Sequence, residues 1–278
     1  MNTCTFRTMS FNVRGAVWPD GVNAWNHRTA LNVTTIHQYG PDLIGFQEVQ
    51  AGNMLTYRES LPQYDYFLGP ENGNQAPYEF NPIFWKSSRF ELIDGGGFWL
   101  SKTPEQHSAA WETASVRAAS WVRLRCRGTG GEFVHLNTHL DHISERARQE
   151  GAKLTLAKLA PHRTAGLPIL ITGDFNCNPG SPPYQCYITW GCTDLYLEAG
   201  NVERDENYTF HAFEGDSYDA SHHHFIRRVD WILASSPTDA LAVQQCFIVR
   251  DHAHPRYPSD HYPVIADLSL EDANVTRG

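Results

Sequence analysis

Short apolar runs, most of them ended by polar residues, recur along the chain. The segments Thr5–Val13 (TFRTMSFNV) and Asp42–Val49 (DLIGFQEV) have the length and apolar content of strands. The stretch between them, Trp25–Asp42, places apolar side chains at roughly helical spacing and is stopped by Gly40-Pro41. The pattern predicts a strand-helix-strand opening.

The rest of the chain predicts more strands than helices. Gly128–Gly131 indicates a hairpin turn between two strands. Ser144 is a candidate N-cap for a helix with an apolar face that ends before Pro161. The other predicted strands lie in YDYFLG, NPIFWKSSRFELIDGGGFWLS, LPILITGDFN, RRVDWILAS, LAVQQCFIV and YPVIADLSL.

Domain organisation follows from the order of these elements. Helices alternate with only some strands, and no Ser/Gly/Pro-rich linker or fixed-period repeat divides the chain. We therefore expect one domain over residues 1–270, built from two packed sheets with helices outside, and a flexible tail over residues 271–278. The length of 278 residues alone would also allow two small domains, and 41% hydrophobic residues suffice for a substantial core.

Composition limits the setting and the partners. No apolar run reaches the ~18 residues that a membrane span needs, and the N-terminus lacks a signal-peptide pattern, so we expect a cytoplasmic protein. Six cysteines without CxxC spacing favour reduced thiols. A formal charge of -9 argues against an extended grip on duplex DNA, although a nucleic acid held mainly at one phosphate stays possible.

Polar residues stand at the ends of the predicted strands. Taken singly, each has an ordinary explanation: a strand-closing turn for Asn12 or Asn176, a solvated strand end for Glu48, and a buried structural imidazole for His139. Asp230 needs a partner, because apolar residues flank it in a strand. The full set is Asn12, Glu48, His139, Asp174, Asn176, Asp230, Asp260 and His261.

Together these residues predict one shared site, since several rigid strands each deliver a carboxylate, carboxamide or imidazole at one end. Oxygen ligands suit Mg²⁺ or Mn²⁺, and imidazoles suit the charge that develops when a phosphoester is hydrolysed. Zinc fits less well, because the cysteines do not join the set and no HxxxH helix occurs.

The segments SFNVRG, DLIGFQEV, HLNTHLDH, ITGDFNCNPGSPPY, RRVDWILAS and YPSDHYPVIADL carry a resemblance to a known family. In order and approximate spacing they resemble the endonuclease/exonuclease/phosphatase superfamily of deoxyribonuclease I-like and exonuclease III-like phosphoesterases. The likeness runs from about Thr5 to Leu270, and GDFN followed far downstream by SDHYPV is its most specific part. It implies a four-layer α/β sandwich of two packed, mostly antiparallel sheets, with the site at one edge.

The resemblance also implies roles for the residues that match its motifs. Asn12, Glu48 and Asp260 would form the metal shell, with Glu48 the principal ligand. Asp174 would orient or deprotonate the attacking water, and Asn176 would bond the scissile phosphate. His261, held in its tautomer by Asp230, and His139 would contact the phosphate, His139 possibly as the acid for the leaving oxygen.

Three further residues are candidates. Glu79 falls where the deoxyribonuclease-like branch has a glutamate that steers the second histidine, although a solvated loop glutamate is the ordinary alternative. Asn81 is a neighbouring polar candidate for binding substrate. Arg117 could grip a phosphate oxygen, while an ordinary surface arginine is the favoured alternative.

The expected activity is a divalent-metal-dependent phosphoester hydrolase, nuclease or phosphatase, that uses in-line attack of water. A noncatalytic member of the fold that binds a phosphorylated ligand or a protein is the alternative, and retention of Asp174 and His261 argues against it. The residues do not select among nucleotides, short nucleic acids and small phosphoesters, and they do not predict an oligomeric state. The run His222–His224 is a second, weaker candidate metal site.

Overall fold

A computed structural model describes residues 3–219, 227–236 and 240–271. The strands form two six-stranded sheets, in the orders β13-β14-β1-β2-β6-β3 and β11-β12-β10-β9-β8-β7, and a separate small β4-β5 ribbon. The helices are α1 (Trp25–Tyr39), α2 (Ala51–Ser60), α3 (Glu145–Thr164), α4 (Pro182–Trp190) and α5 (Leu195–Glu198). The strands are β1 (Thr3–Asn12), β2 (Leu43–Gln47), β3 (Tyr64–Phe67), β4 (Glu71–Asn72), β5 (Glu79–Phe80), β6 (Ile83–Lys86), β7 (Phe90–Trp99), β8 (Ala118–Cys126), β9 (Glu132–His139), β10 (Ile169–Asp174), β11 (Thr193–Asp194), β12 (Asp230–Ser235), β13 (Leu241–Ile248) and β14 (Val264–Glu271).

Three apolar clusters bind four layers together. One lies between the sheets and joins residues such as Phe6 of β1 to Phe133 of β9. A second packs α1 and α2 on the outer face of the first sheet, and a third packs α3 and α4 on the outer face of the second. The expected four-layer α/β sandwich is confirmed. Apart from the parallel pairs β1-β2 and β9-β10, the neighbouring strands run antiparallel.

The two sheets come close together just below one edge. A Cβ added to Gly45 of β2 would lie 2.0 Å from Oγ1 of Thr172 on β10, so only glycine fits there. Beside this contact Gln47 Nε2 donates to Oδ1 of Asn137 at 2.7 Å, and Asn137 Nδ2 donates to the carbonyl of Phe46. This buried polar seam holds the ends of β1, β2, β9 and β10 at one edge.

Several local predictions differ from the structure. Helix α3 begins at its predicted cap, where Ser144 accepts from the amide of Ala147, but it continues through Pro161. Pro161 removes one backbone donor from the helix, which ends three residues later at Thr164. Helix α4 begins within the motif GDFNCNPGSPPY, at Pro182, a favourable place for proline.

The structure also corrects the expectation of reduced cysteines, because Cys4 on β1 is disulfide-bonded to Cys126 on β8. The two cysteines are 122 residues apart, and only the packing of the two sheets brings them together. The remaining cysteines, Cys177, Cys186, Cys192 and Cys246, are free thiols.

The last described residue, Glu271, lies in a strand. It is the last residue of β14, and the flexible tail expected over residues 271–278 stays a prediction. Residues 272–278 and the run His222–His224 lie outside the described residues. None of the described helices combines the length and the apolar character that crossing a bilayer requires.

Candidate active site

A cleft of about 690 Å³ opens at the edge where β1, β2, β9 and β10 end and β12 begins. Eight of the residues predicted for the site line it: Glu48, Glu79, Arg117, His139, Asp174, Asn176, Asp260 and His261. Asn12 and Asp230 lie directly behind them and contact lining residues. Asn81 is not brought to the cleft, because it is buried and its amide donates to the carbonyl of Ala118 on β8.

Asn12 ties two carboxylates together. Its Nδ2 lies 2.9 Å from Oε1 of Glu48 and 2.9 Å from Oδ2 of Asp174, while its Oδ1 accepts the amide of Arg14. This network sets the orientation of the amide, since the reverse orientation would turn the oxygen toward both carboxylates. Asn12 therefore orients Glu48 and Asp174, and its expected place in the metal shell stays a prediction.

Glu48 follows β2 in a left-handed backbone conformation, with φ of 60°. Such a conformation is costly for a residue with a side chain, and here it turns the carboxylate out of the strand and into the cleft. Burial alone would raise the pKa of Glu48, but the charge of Arg14 and the hydrogen bond from Asn12 outweigh it and hold the pKa below its ordinary value. The carboxylate is thus kept ionised.

Asp174 ends β10, with His139 of β9 and Asp230 of β12 as its register partners on either side. Burial and the charge of Asp230 raise the pKa of Asp174 to about 7. Asn176 reaches the same cleft because its backbone adopts a left-handed conformation, with φ of 49°. Its backbone N–H donates to Oδ1 of Asp174 at 2.9 Å. Phe175, between them, is buried in the apolar cluster beneath α3 and α4 and stacks on Trp231 with ring centroids 4.3 Å apart.

His261 joins the first sheet to the second. Its Nδ1 lies 2.9 Å from Oδ2 of Asp230, which supplies the partner that this buried carboxylate was predicted to need. Burial would lower the pKa of His261, but the charges of Asp230 and Asp174 raise it to about 10. The imidazole is therefore a cation at neutral pH, with its Nε2 3.7 Å from Oδ2 of Asp174.

His139 has a different neighbour from the one expected. Its Nδ1 lies 3.0 Å from Nη1 of Arg117, which is buried and not the surface arginine that the sequence favoured. Nη2 of the same guanidinium lies 3.1 Å from Nδ1 of His142. The structure thus replaces the predicted Glu79–His139 pairing with an arginine between two imidazoles, one of which the sequence analysis did not single out.

Glu79 lines the opposite part of the cleft. Its carboxylate is hydrogen-bonded to Trp18, and burial together with the charge of Glu48 raises its pKa to about 7. It is therefore no ordinary solvated loop glutamate, but none of the hydrogen bonds to His139 comes from it.

Asp141, which the sequence analysis also did not single out, stabilises the two loops next to Arg117 and His142. Its two carboxylate oxygens accept hydrogen bonds from the segment 113–115 and from the amides of Ile143 and Ser144. The motif HLDH, residues 139–142, contains both Asp141 and His142. The signal that could have found His142 is its position three residues after His139.

One group of side chains suits a hard divalent cation. Ligand atoms of Glu48, His139 and Asp174 all lie within 4.8 Å of one another. Two carboxylates fit Mg²⁺ or Mn²⁺, which prefer oxygen ligands, and the third predicted ligand, Asp260, lies on the same cleft 3.7 Å from Nε of Arg14. The donor set therefore fits the cation that the resemblance implies.

Comparison with known proteins agrees with this geometry. The model of the Endonuclease/Exonuclease/phosphatase family matches residues 9–261. A solved member from Bacteroides vulgatus is 30% identical, with a TM-score of 0.85 over 96% of this chain and 100% of its own. A mannosyl-6-phosphatase from Bacteroides thetaiotaomicron is 30% identical, with a TM-score of 0.84 over 95% of this chain and 99% of its own. Nocturnin of Drosophila melanogaster is 24% identical, and the alignment covers 91% of this chain but only 43% of that protein.

Proposed function

Because the chain belongs to the endonuclease/exonuclease/phosphatase family, we propose that it hydrolyses phosphoesters with a divalent cation, Mg²⁺ or Mn²⁺. The observation that carries the proposal is the convergence of Glu48, His139 and Asp174, from three different strands or strand ends, within 4.8 Å. Rigid elements hold the groups there, as a preorganised site requires.

The chain's own residues divide the chemistry among them. Asp174, which lines the cleft, orients and deprotonates the water that attacks phosphorus in line. Asn176 and His139 bond the phosphoryl oxygens, and the cationic His261 offsets the negative charge that grows on them. A bound cation would be held by Glu48, with Asp260 beside it, and would supply further charge stabilisation.

A small phosphorylated metabolite is the substrate class that we propose. The likeness to the mannosyl-6-phosphatase, over nearly the whole of both chains, supports a phosphorylated sugar. A cleft of about 690 Å³ has the size of a small-molecule site, and the net charge of -9 disfavours a long nucleic acid.

A substrate panel with Mg²⁺ or Mn²⁺ tests the proposal. It compares hexose phosphates, nucleotides, poly(A) and plasmid DNA, each with and without EDTA, and includes His261→Ala. We expect EDTA-sensitive release of phosphate from hexose phosphates and loss of that release in the variant. Turnover of poly(A) alone would make the chain a nuclease, and hydrolysis of no substrate would favour a noncatalytic phosphate-binding protein.

A further inference from the structure

Arg117 is a buried cation in an unusual setting. It is 7% exposed, lines the cleft and forms no ion pair with a carboxylate of any described residue. Its Nε has no hydrogen-bond partner in the described part of the chain. Its two terminal nitrogens contact imidazoles, at 3.0 Å from Nδ1 of His139 and 3.1 Å from Nδ1 of His142.

The contact to His142 specifies where that ring carries its proton. A guanidinium has five donors and no acceptor, so an imidazole nitrogen at hydrogen-bond distance from it must offer a lone pair. A neutral imidazole whose Nδ1 accepts carries its proton on Nε2. Arg117 therefore selects the Nε2–H tautomer of His142.

His139 has a donor at each ring nitrogen, so Arg117 does not by itself fix its tautomer. Nδ2 of Asn176 lies 2.9 Å from Nε2 of His139 and also donates to the carbonyl of Leu140 at 3.0 Å, which sets the orientation of that amide. Oδ2 of Asp174 lies 3.3 Å from the same ring nitrogen. Of the two rings, only His142 keeps a nitrogen without a hydrogen bond to a described residue.

His142 extends the donor set to the rim of the cleft. It lines the cleft three residues beyond His139, and its Nε2 is not bonded to any group of the described residues. With Nδ1 occupied by Arg117, its Nε2–H is free to bond an oxygen of a ligand. The wall formed by His139, Arg117 and His142 thus offers several donors and, apart from Asp174 at its foot, no carboxylate.

We propose, building on the proposed hydrolase function, that Arg117 is a positioning residue that fixes the tautomer of His142, and that His142 contacts the terminal phosphate of a phosphomonoester. A monoester presents three nonbridging oxygens, whereas a diester presents two and replaces the third with an ester group. Donors beyond those that two oxygens use therefore favour the monoester. The ligand class is a phosphate dianion on a small leaving group.

Nuclear magnetic resonance tests the tautomers without any need for turnover. In protein labelled with ¹⁵N-histidine, two-bond ¹⁵N–¹H spectra distinguish Nε2–H from Nδ1–H, and His139→Gln and His142→Gln assign the two rings. We expect the Nε2–H pattern for His142 in the wild type and a mixture of tautomers for His142 in Arg117→Met. An Nδ1–H pattern of His142 in the wild type, or an unchanged His142 pattern in a folded Arg117→Met, overturns the inference.

Kinetics test the contact to the phosphate. We expect His142→Ala to lower kcat/KM for p-nitrophenyl phosphate by about 10- to 100-fold and to change that for bis-p-nitrophenyl phosphate by less than about 2-fold, the size of a lost hydrogen bond to a charged group. His142→Gln, which keeps an N–H donor, should recover part of the loss. His162→Gln, at a partly buried ring packed on Trp121, is the matched control.

The two proposals fail in different ways. Equal losses on both esters, or no loss on either, overturn the role of His142 while leaving hydrolysis established. If the wild type hydrolyses neither ester, the proposed function is lost, and titration with inorganic phosphate then decides the contact. A shift of the His142 Nε2 resonance on addition of phosphate, absent in Arg117→Met, supports the contact between His142 and phosphate. No shift in the wild type overturns that contact.

Discussion

Asp230 and His261 form a buried pair that joins the two sheets, with Oδ2 of Asp230 2.9 Å from Nδ1 of His261. Asp230 is the first residue of β12 in the second sheet, while His261 precedes β14 of the first. Both side chains are almost fully buried. Since the charge of Asp230 is a main reason that the pKa of His261 is raised, the pair links the sheet contact to the protonation of the site.

Replacing Asp230 with asparagine is expected to lower turnover by about 100-fold, because His261 loses its counter-charge and is no longer held as a cation. The pKa of His261 should fall from about 10 toward its ordinary value. Histidine titration by nuclear magnetic resonance and steady-state kinetics measure the two effects. Unchanged turnover in a folded variant would contradict the role assigned to the pair.

Glu48→Gln is expected to lower turnover at least about 100-fold and to weaken binding of Mn²⁺, because a charged ligand becomes neutral while the shape is kept. Calorimetric titration with Mn²⁺ measures the affinity apart from activity. Glu59→Gln, an exposed glutamate on α2, is the matched control. Equal Mn²⁺ affinity in both variants would remove Glu48 from the cation site.

Asn12→Asp should be more harmful than Asn12→Ser. The aspartate would place a third carboxylate 2.9 Å from the oxygens of Glu48 and Asp174, where the amide now donates to both. We expect Asn12→Asp to lower the free energy of unfolding by about 1–3 kcal/mol, the cost of leaving a buried polar group without its partners. Urea denaturation at pH 7.5 compares the two variants, and equal midpoints would show that the amide donor is not needed.

Stability should fall in mild acid, in part because of His135. This ring is buried in the second sheet, its Nε2 lies 2.9 Å from Oγ1 of Thr172, and burial lowers its pKa to about 3. Below pH 6.5 the unfolded chain binds a proton that the folded chain refuses, so stability falls with pH, by up to ~1.4 kcal/mol per unit until about pH 3.

Urea midpoints at pH 7.5 and pH 5 measure this dependence. His135→Gln removes the titrating group, so its stability should change less between the two values than that of the wild type. A variant with the same pH dependence would assign the acid sensitivity to other groups, such as His211, whose pKa burial lowers to about 2.

Reduction of the Cys4–Cys126 disulfide is expected to destabilise the protein by about 2–4 kcal/mol, because the bond closes a long loop of 122 residues in the unfolded chain. Thermal unfolding with and without dithiothreitol measures the loss. Cys4→Ser should reproduce it and become insensitive to the reductant. Free-thiol titration that finds six cysteines in the untreated protein would show that the bond does not form.

Short sequence patterns predict most of the strands and the start of α3. Apolar runs bounded by turn residues determine the strands, and Ser144 determines the start of α3, because caps and periodicity act over a few residues. Helix α2 escaped prediction, since AGNMLTYRES carries almost no apolar periodicity and its capping box uses Gln50 and Asn53. Its place depends on packing Tyr57 under Phe46, a tertiary contact.

The sequence by itself also determined which polar residues end the strands, and the motifs around Asp174 and His261 were enough to indicate the family. Only the tertiary structure decided which groups touch. It gave His139 an arginine in place of Glu79, turned the nitrogen of Asn12 toward two carboxylates, and joined Cys4 to Cys126. Such pairings depend on how two sheets pack and on the path of the loops between them, and no local pattern of residues encodes that distance.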